Sequence, residues 1–148
     1  MIHLAGDMFI HSVIDPDILR TATARAFGLL PGRVGVRAPE TPWPDAEIVI
    51  EPQSPELPGD WPGQYILWVP SSDRGLLPTP LADLARNLGV AVMMPADADD
   101  EDLMDLYLPD GSTHEVRVPQ DEDDYGFRDT PEMRDLIEHA ARPVAIAS

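Results

Sequence analysis

Closely spaced carboxylates are the residues of this sequence that are most able to do chemistry. Two clusters of them occupy the second half of the chain, at Asp97, Asp99, Asp100, Glu101, Asp102 and Asp105, and at Asp121, Glu122, Asp123 and Asp124. Three aromatic residues stand beside these clusters, at Tyr107, Tyr125 and Phe127. Carboxylates steer the encounter with a cationic partner, and aromatic side chains anchor it. Together these residues predict a surface that binds a basic protein.

The overall charge favours the same kind of partner. The chain of 148 residues carries 27 acidic and 10 basic side chains, a formal net charge of −17. Residues 75–148 hold 17 of the acids and 5 arginines, whereas residues 1–74 hold 10 acids and 5 arginines. Direct binding to nucleic acid is not expected, because attraction to phosphates needs clustered Arg and Lys. Two alternative causes of the acidity stay open: solvated loops without a partner, and a salt-adapted or GC-rich background, which the lack of lysine and the 17 prolines would also reflect.

A calcium site is the obvious alternative for a loop that is rich in aspartate. In an EF-hand that starts at Asp97, Asp99 and Glu101 would stand at ligand positions. Asp102, however, occupies the position that needs glycine for the sharp turn, and Leu108 occupies that of the bidentate glutamate. We therefore expect no built metal site.

Patterns that signal catalysis are poor. The chain has four histidines, His3, His11, His114 and His139. No two of them have the spacing of metal ligands on one helix or strand. The chain has no cysteine, which removes thiol catalysis and disulfides, and it has no G-x-S-x-G, P-loop or G-x-G-x-x-G pattern. We expect a protein that is not an enzyme and needs no cofactor. A small enzyme with an unrecognised carboxylate site stays open as an alternative, as does a DNA mimic or another regulator that binds a basic partner.

The sequence also predicts where the protein works. No apolar run approaches the ~18 residues of a membrane span, and the first residues lack the basic start and apolar stretch of a secretory signal. We therefore expect a cytoplasmic protein that does not enter a membrane. The oligomeric state stays open.

Local signals predict three helices. The first begins after Asp15, which suits an N-cap, and Gly28 ends it. The second begins at Thr79 and ends at Gly89, where a left-handed C-cap belongs. The third follows Thr130 and carries one apolar stripe.

Apolar runs predict the strands, at residues 8–14, 33–38, 46–51, 65–69, 90–94, 103–108 and 114–118. The 65–69 run is apolar on both faces, which is typical of a central strand that is covered on two sides. An acidic loop is expected before residue 103, and Pro109 to Ser112 predicts a hairpin turn. The seven prolines between residues 39 and 62 predict that the 46–51 run is an edge strand between extended loops.

The predicted order of elements is β-α-β-β-β-α-β-β-β-α. Strands outnumber helices and only one neighbouring pair resembles a helical crossover, which favours the α+β class. We predict one domain over residues 1–148, with a mostly antiparallel sheet of about six strands and three helices packed on it.

A short helix that ends in Leu88-Gly89 runs directly into the strand at Val90, and an Asp-rich stretch, Leu106 to Gly111 and a second hairpin strand follow. With this order, residues 79–118 resemble the small α+β immunity proteins of bacterial polymorphic-toxin and secretion-system loci. The resemblance implies a cytoplasmic inhibitor that lays an acidic face on a toxin domain and performs no catalysis. The resulting hypothesis is an immunity protein that neutralises a basic, nuclease-like toxin domain by covering it with carboxylates.

Overall fold

Seven strands form one sheet that joins the two halves of the chain. The structure, a computed structural model, describes residues 4–36, 47–53, 60–70, 77–97, 100–118 and 129–141. Within these residues the strands are β1 (Leu4–Ile10), β2 (Val34–Val36), β3 (Ile48–Gln53), β4 (Gly63–Val69), β5 (Val92–Asp97), β6 (Asp100–Tyr107) and β7 (Thr113–Arg117). They lie in the order β2-β3-β4-β1-β5-β6-β7, in which β2 and β3 are parallel and the other neighbours are antiparallel.

Helices cover the sheet on both faces. They are α1 (Pro16–Phe27), α2 (Pro78–Leu88) and α3 (Pro131–Ala141). Met8 of β1 packs in one core with α1 and α2, whereas its neighbour Phe9 packs in a second core with Met133 of α3. Because successive side chains of a strand point to opposite faces, the two cores lie on opposite sides of the sheet. The α+β class and the order of elements are confirmed, with seven strands instead of about six.

The predicted helix ends are confirmed where a side chain or a glycine caps them. The Asp15 carboxylate accepts the backbone N–H of Asp17 at 2.9 Å, and the Thr130 hydroxyl accepts that of Met133 at 3.2 Å. Gly28 and Gly89 end α1 and α2 at φ 70° and 71°, a left-handed conformation that favours glycine. None of the helices in the described part of the chain is long and apolar enough to cross a membrane.

The prediction of an edge strand in the proline-rich stretch is wrong. β3 lies between β2 and β4, and Ile48 to Ile50 pair with β2. Pro52 pairs with Tyr65 of β4 but lies beyond the three residues that pair with β2. Proline lacks an N–H, so it is tolerated in that half of β3, which has a neighbour on one side. The pairing of β3 with β2 therefore stops before Pro52, but the nearby prolines do not prevent it.

β4 is inside the sheet, as predicted, but the prediction that both its faces are covered is wrong. Tyr65, Leu67 and Val69 are buried, whereas Ile66 and Trp68 on the opposite face are half-buried. The reason is that α3 packs over β5, β6 and β7, and neither Ile66 nor Trp68 belongs to the core that α3 covers.

β1 begins and ends earlier than the apolar run predicts, at Leu4–Ile10 instead of 8–14. The chain leaves the sheet at His11, whose N–H donates to the Ala91 carbonyl at 3.0 Å. Val13, which the prediction placed in the strand, is 72% exposed. Apolar composition alone does not show where strand pairing stops.

A buried hydroxyl on α1 offers a direct test of this packing. Thr23 is fully buried, and its Oγ1 finds no hydrogen-bond partner among the described residues. Thr23→Val should therefore raise the free energy of unfolding by about 1 kcal/mol, because valine has the same shape and no polar atom to desolvate. Thr21→Val, on an exposed position of the same helix, is the matched control and should change it by less than about 0.5 kcal/mol. Urea denaturation of both variants checks this, and an equal or lower stability of Thr23→Val would contradict it.

Candidate functional site

The first acidic cluster lies largely on paired strands. β5 extends to Asp97 and β6 begins at Asp100, and these two residues pair after a register shift beyond Pro95. The predicted acidic loop is therefore wrong for Asp97, Asp100, Glu101 and Asp102, while Asp99 lies outside the described residues. Backbone ladder bonds do not depend on the side chain, so a charged segment can continue a hairpin.

β6 divides its acidic side chains between the two faces of the sheet. Asp102 lies on the same face as Met104, which belongs to the core under α3, whereas Asp105 points to the opposite face. Asp102 and Asp105 are both half-buried. The cluster that is continuous in sequence is therefore not one continuous face of the sheet.

A second carboxylate joins Asp105 from the neighbouring strand. Glu115 of β7 lies directly opposite Asp105 and is exposed. Arg117 is two residues further along β7 and is the only basic residue of β6 and β7 as the structure describes them. We call β6, its turn and β7, residues 100–117, the acidic hairpin. It carries Asp100, Glu101, Asp102, Asp105, Asp110 and Glu115.

The turn of the acidic hairpin has the predicted structure. The Asp110 carboxylate accepts the Ser112 hydroxyl at 2.5 Å and the Ser112 backbone N–H at 2.9 Å. These two bonds hold the pKa of Asp110 below its ordinary value, and the bond from the Ser112 hydroxyl has the larger effect. The carboxylate therefore stays charged. Gly111 has φ 91°, and a Cβ there would run into the Arg86 guanidinium at the end of α2. The turn thus lies against the Arg86 side chain at the end of α2.

Tyr107 is not part of an exposed surface. Its side chain is 2% exposed and packs in the core with α1 and α2. The expectation that its ring anchors a partner is therefore wrong. Tyr107 is two residues from Asp105 and shares its face of the sheet, but α1 and α2 cover the Tyr107 end of that face.

The structure does not describe the second acidic cluster or the aromatic residues beside it. This set comprises Asp121, Glu122, Asp123, Asp124, Tyr125 and Phe127. Their role stays a prediction. Further along the chain, α3 presents exposed Glu132, Asp135 and Glu138 at intervals of three residues. Side chains three apart lie close together on one helix face, so α3 adds an acidic stripe that sequence analysis did not single out.

A polar cluster that the sequence did not predict connects three distant segments. The Asp129 carboxylate bonds to His11 Nε2 through Oδ2 at 2.8 Å and accepts Trp61 Nε1–H through Oδ1 at 2.9 Å. The His11 and Trp61 rings meet edge to face, with centroids 4.8 Å apart. The Asp129 backbone N–H donates to Asp60 Oδ2 at 2.8 Å. We call His11, Trp61 and Asp129 the His–Trp–Asp cluster.

The sequence carries no signal for this cluster, since its members are 68 and 118 positions away from Asp129. An imidazole oriented by a carboxylate is how general bases are held, but the side-chain contacts of His11 among the described residues are a carboxylate and an indole, and neither is a hydroxyl or thiol that a general base would activate. The cluster lies at the start of α3 and ties it to the segments after β1 and before β4, so we assign it a structural role.

The described residues contain no group of three or more His, Asp or Glu placed to hold a metal ion. The carboxylates of the acidic hairpin and of α3 can offer ionic attraction and hydrogen bonding. No family model, curated protein or solved structure matches the chain.

Proposed function

We propose that the protein is a non-enzymatic binding protein that captures a basic protein through carboxylates of its second half. Its mode of action is that of an immunity protein, which blocks a basic, nuclease-like toxin domain by covering it. The acidic hairpin is the observation that carries the proposal. It holds six acidic residues against one arginine on two paired strands and their turn.

The pairing of Asp105 with Glu115 supports an external partner. Like charges directly opposite each other on neighbouring strands destabilise a sheet, and a cation on a bound protein would offset that cost. Asp105 and Arg117 already make contacts within the chain, and the hairpin as a whole carries six acidic residues against one arginine for a basic surface to meet.

The acidic stripe on α3 supports the same conclusion. Two pairs are three residues apart, Glu132 with Asp135 and Asp135 with Glu138, and like charges at this spacing repel by about 0.2–0.5 kcal/mol per pair. The described part of the second half, which includes the acidic hairpin and α3, holds twelve acidic residues and three arginines. A field of this sign accelerates association with a cationic protein by about 10–10³-fold.

The test is a pair of charge-matched variants. Asp105→Asn with Glu115→Gln removes two charges from the acidic hairpin, and Asp7→Asn with Glu47→Gln removes two exposed charges from the first half. Proteins of the native host are passed over the immobilised wild type and both variants, and the retained protein is then purified and titrated by calorimetry. We expect the hairpin variant to bind it about tenfold more weakly and the control to bind it as the wild type does.

Salt gives the second readout of the same experiment. At about 0.5 M salt the Debye length falls well below its ~10 Å at 0.1 M, so the wild type should lose affinity steeply. A basic partner whose affinity neither salt nor the hairpin variant changes would overturn the proposal. A partner that duplex DNA displaces competitively would indicate the DNA-mimic alternative instead.

A further inference from the structure

β7 lies at one edge of the sheet. The order of strands ends with it, and among the described residues it pairs with β6 alone. β2, at the other edge, has three residues, whereas β7 has five. An edge strand presents backbone N–H and C=O groups that can pair with a further strand. The longer of the two edges therefore belongs to the acidic hairpin.

Hydrogen bonds at the two ends of the β6–β7 ladder define which residues bond across it. The Val118 N–H donates to the Asp102 carbonyl at 2.7 Å. At the turn, the Leu108 N–H donates to the Ser112 carbonyl at 2.9 Å. In an antiparallel ladder, pairs of residues that exchange hydrogen bonds alternate with pairs that do not. The even-numbered residues of β7 therefore bond to β6.

The odd-numbered residues of β7 direct their N–H and C=O groups away from β6, and they are Thr113, Glu115 and Arg117. Their side chains are exposed and lie on the face opposite α3, because Val116 between them is buried in the core under α3. A strand that adds to this edge would therefore meet the backbone and the side chain of Glu115 together.

The charges at this edge select what can pair with it. In an antiparallel strand beside β7, one residue would stand directly opposite Glu115, with its side chain on the same face and its Cα about 5.5 Å away. Asp105 lies on that face on the other side of Glu115. An arginine or lysine opposite Glu115 forms a favourable cross-strand pair, whereas a further acidic residue is repelled.

A second copy of this chain suits the edge less well than a basic protein does. It could place its own Arg117 opposite Glu115, but Arg117 already makes a contact within its own chain. The pairing would also bring together two acidic hairpins and two chains of net charge −17. A basic protein supplies the cation without this repulsion.

We propose that the outer edge of β7 binds an extended segment of the basic partner as an eighth strand, with an arginine or lysine opposite Glu115. The proposal rests on the function proposed above, because it takes the partner to be basic, and it adds the way in which that partner is held. Backbone hydrogen bonds supply the affinity, and the pair with Glu115 selects a cationic segment.

Three capped peptides test the added strand without knowledge of the partner: acetyl-Thr-Val-Arg-Val-Thr-amide, the same peptide with an N-methylated arginine, and acetyl-Thr-Val-Glu-Val-Thr-amide. Each is titrated into the ¹⁵N-labelled full chain. We expect the arginine peptide to shift the amides of Thr113 and Glu115 more than those of the even-numbered residues, and to slow hydrogen exchange of the Glu115 amide.

The two other peptides separate backbone pairing from charge. The N-methylated peptide keeps the charge but lacks the N–H donor, and should not bind measurably. The glutamate peptide should bind about fivefold more weakly than the arginine peptide. Equal binding of the N-methylated peptide overturns the added strand, and equal binding of the glutamate peptide overturns the selection of a cation.

Matched variants locate the binding on β7. Thr113→Pro removes an outward N–H and keeps every charge, at the first residue of an edge strand, where proline is tolerated. It should weaken binding of the arginine peptide about fivefold. Glu115→Gln should reduce the preference for arginine over glutamate, whereas Glu47→Gln, an exposed carboxylate of the first half, should leave it unchanged. Unchanged peptide binding in Thr113→Pro, or an unchanged preference in Glu115→Gln, overturns the site.

Two further measurements separate this proposal from its alternatives. Sedimentation of the free chain should show no dimer, and a dimer that Thr113→Pro abolishes would overturn the basic segment in favour of a second copy. The partner captured from the native host should bind Thr113→Pro more weakly than the wild type. If its affinity depends on salt but not on this variant, the added strand is wrong and the function of the acidic hairpin stands.

Discussion

Replacement of Gly63 with alanine is expected to lower the free energy of unfolding by about 3 kcal/mol. A Cβ at this position would lie 2.6 Å from the Ser12 carbonyl oxygen and 3.1 Å from both the Cβ and the carbonyl oxygen of Ile10. Two of these three atoms are backbone, so the clash cannot be relieved by a side-chain rotation. Gly63 and Ile10 form the last pair between β4 and β1, two inner strands of the sheet, so the strain would weaken that pairing from its end.

Gly32→Ala is the matched control for this experiment. A Cβ at Gly32 meets nothing within 4 Å, and the residue is exposed. Its replacement should change the stability by less than about 0.5 kcal/mol, with a small gain because alanine restricts the unfolded chain. Chemical denaturation of the two variants side by side measures the difference. Equal stability of the two would show that β1 and β4 can move apart at Gly63 at no cost.

Replacement of Trp61 with alanine is expected to cost about 4 kcal/mol. The ring is 1% exposed and packs in the core that contains Met133 of α3. Its loss leaves a cavity under α3 and removes the Nε1–H that Asp129 accepts. We therefore expect α3 to detach first, seen as faster hydrogen exchange of the amides of Met133 to Ile137 than of those in β4.

Two further variants keep this prediction testable if Trp61→Ala does not fold. Trp61→Phe retains most of the apolar area but removes the N–H donor, and should cost about 1–3 kcal/mol, since Asp129 then lacks a partner for Oδ1. Trp68→Ala removes a half-buried indole whose Nε1 lies 3.4 Å from Glu51 Oε2, and should cost less than Trp61→Ala. If Trp68→Ala cost more, Trp61 would not be the residue that holds α3 on the sheet.

These two positions show how the candidate sites depend on the fold. Gly63 lets the segment after β1 approach β4 closely, and Trp61 connects that segment to α3 through Asp129. The segment after β1 and the start of α3 are thus joined by one group of contacts. Variants that weaken this group should also affect the acidic stripe on α3, so stability has to be measured before any binding effect is assigned to a surface residue.

Features that depend on neighbours in the chain were predictable from the sequence. Asp15 caps α1 because its carboxylate reaches an N–H two residues away, and Gly89 ends α2 because the backbone there needs a positive φ. The turn at Asp110 and Gly111 follows the same logic. The order of the elements followed from such local signals together with the apolar runs of the strands.

Features that depend on pairing were not predictable in this way. The prolines around β3 suggested an edge strand, but β2 supplies a second neighbour over the three residues that contain no proline. The aspartates of residues 97–102 suggested a loop, but the ladder between β5 and β6 continues through most of them. In both cases the backbone of another strand outweighed the preference of the side chains.

The candidate site shows the same division. The sequence identified the acidic residues and their excess over arginine, because charge is a property of each residue. It did not reveal that Asp102 and Asp105 point to opposite faces, that Tyr107 is buried, or that α3 carries an acidic stripe.

By itself the sequence determined the α+β class, the helix caps, the hairpin turn and the acidic character of the second half. Only the tertiary structure decided which carboxylates are neighbours, and it alone brought His11, Trp61 and Asp129 together. The physical reason is range: caps and turns are settled by bonds within a few residues, whereas faces and clusters arise when segments far apart in the chain pack against each other.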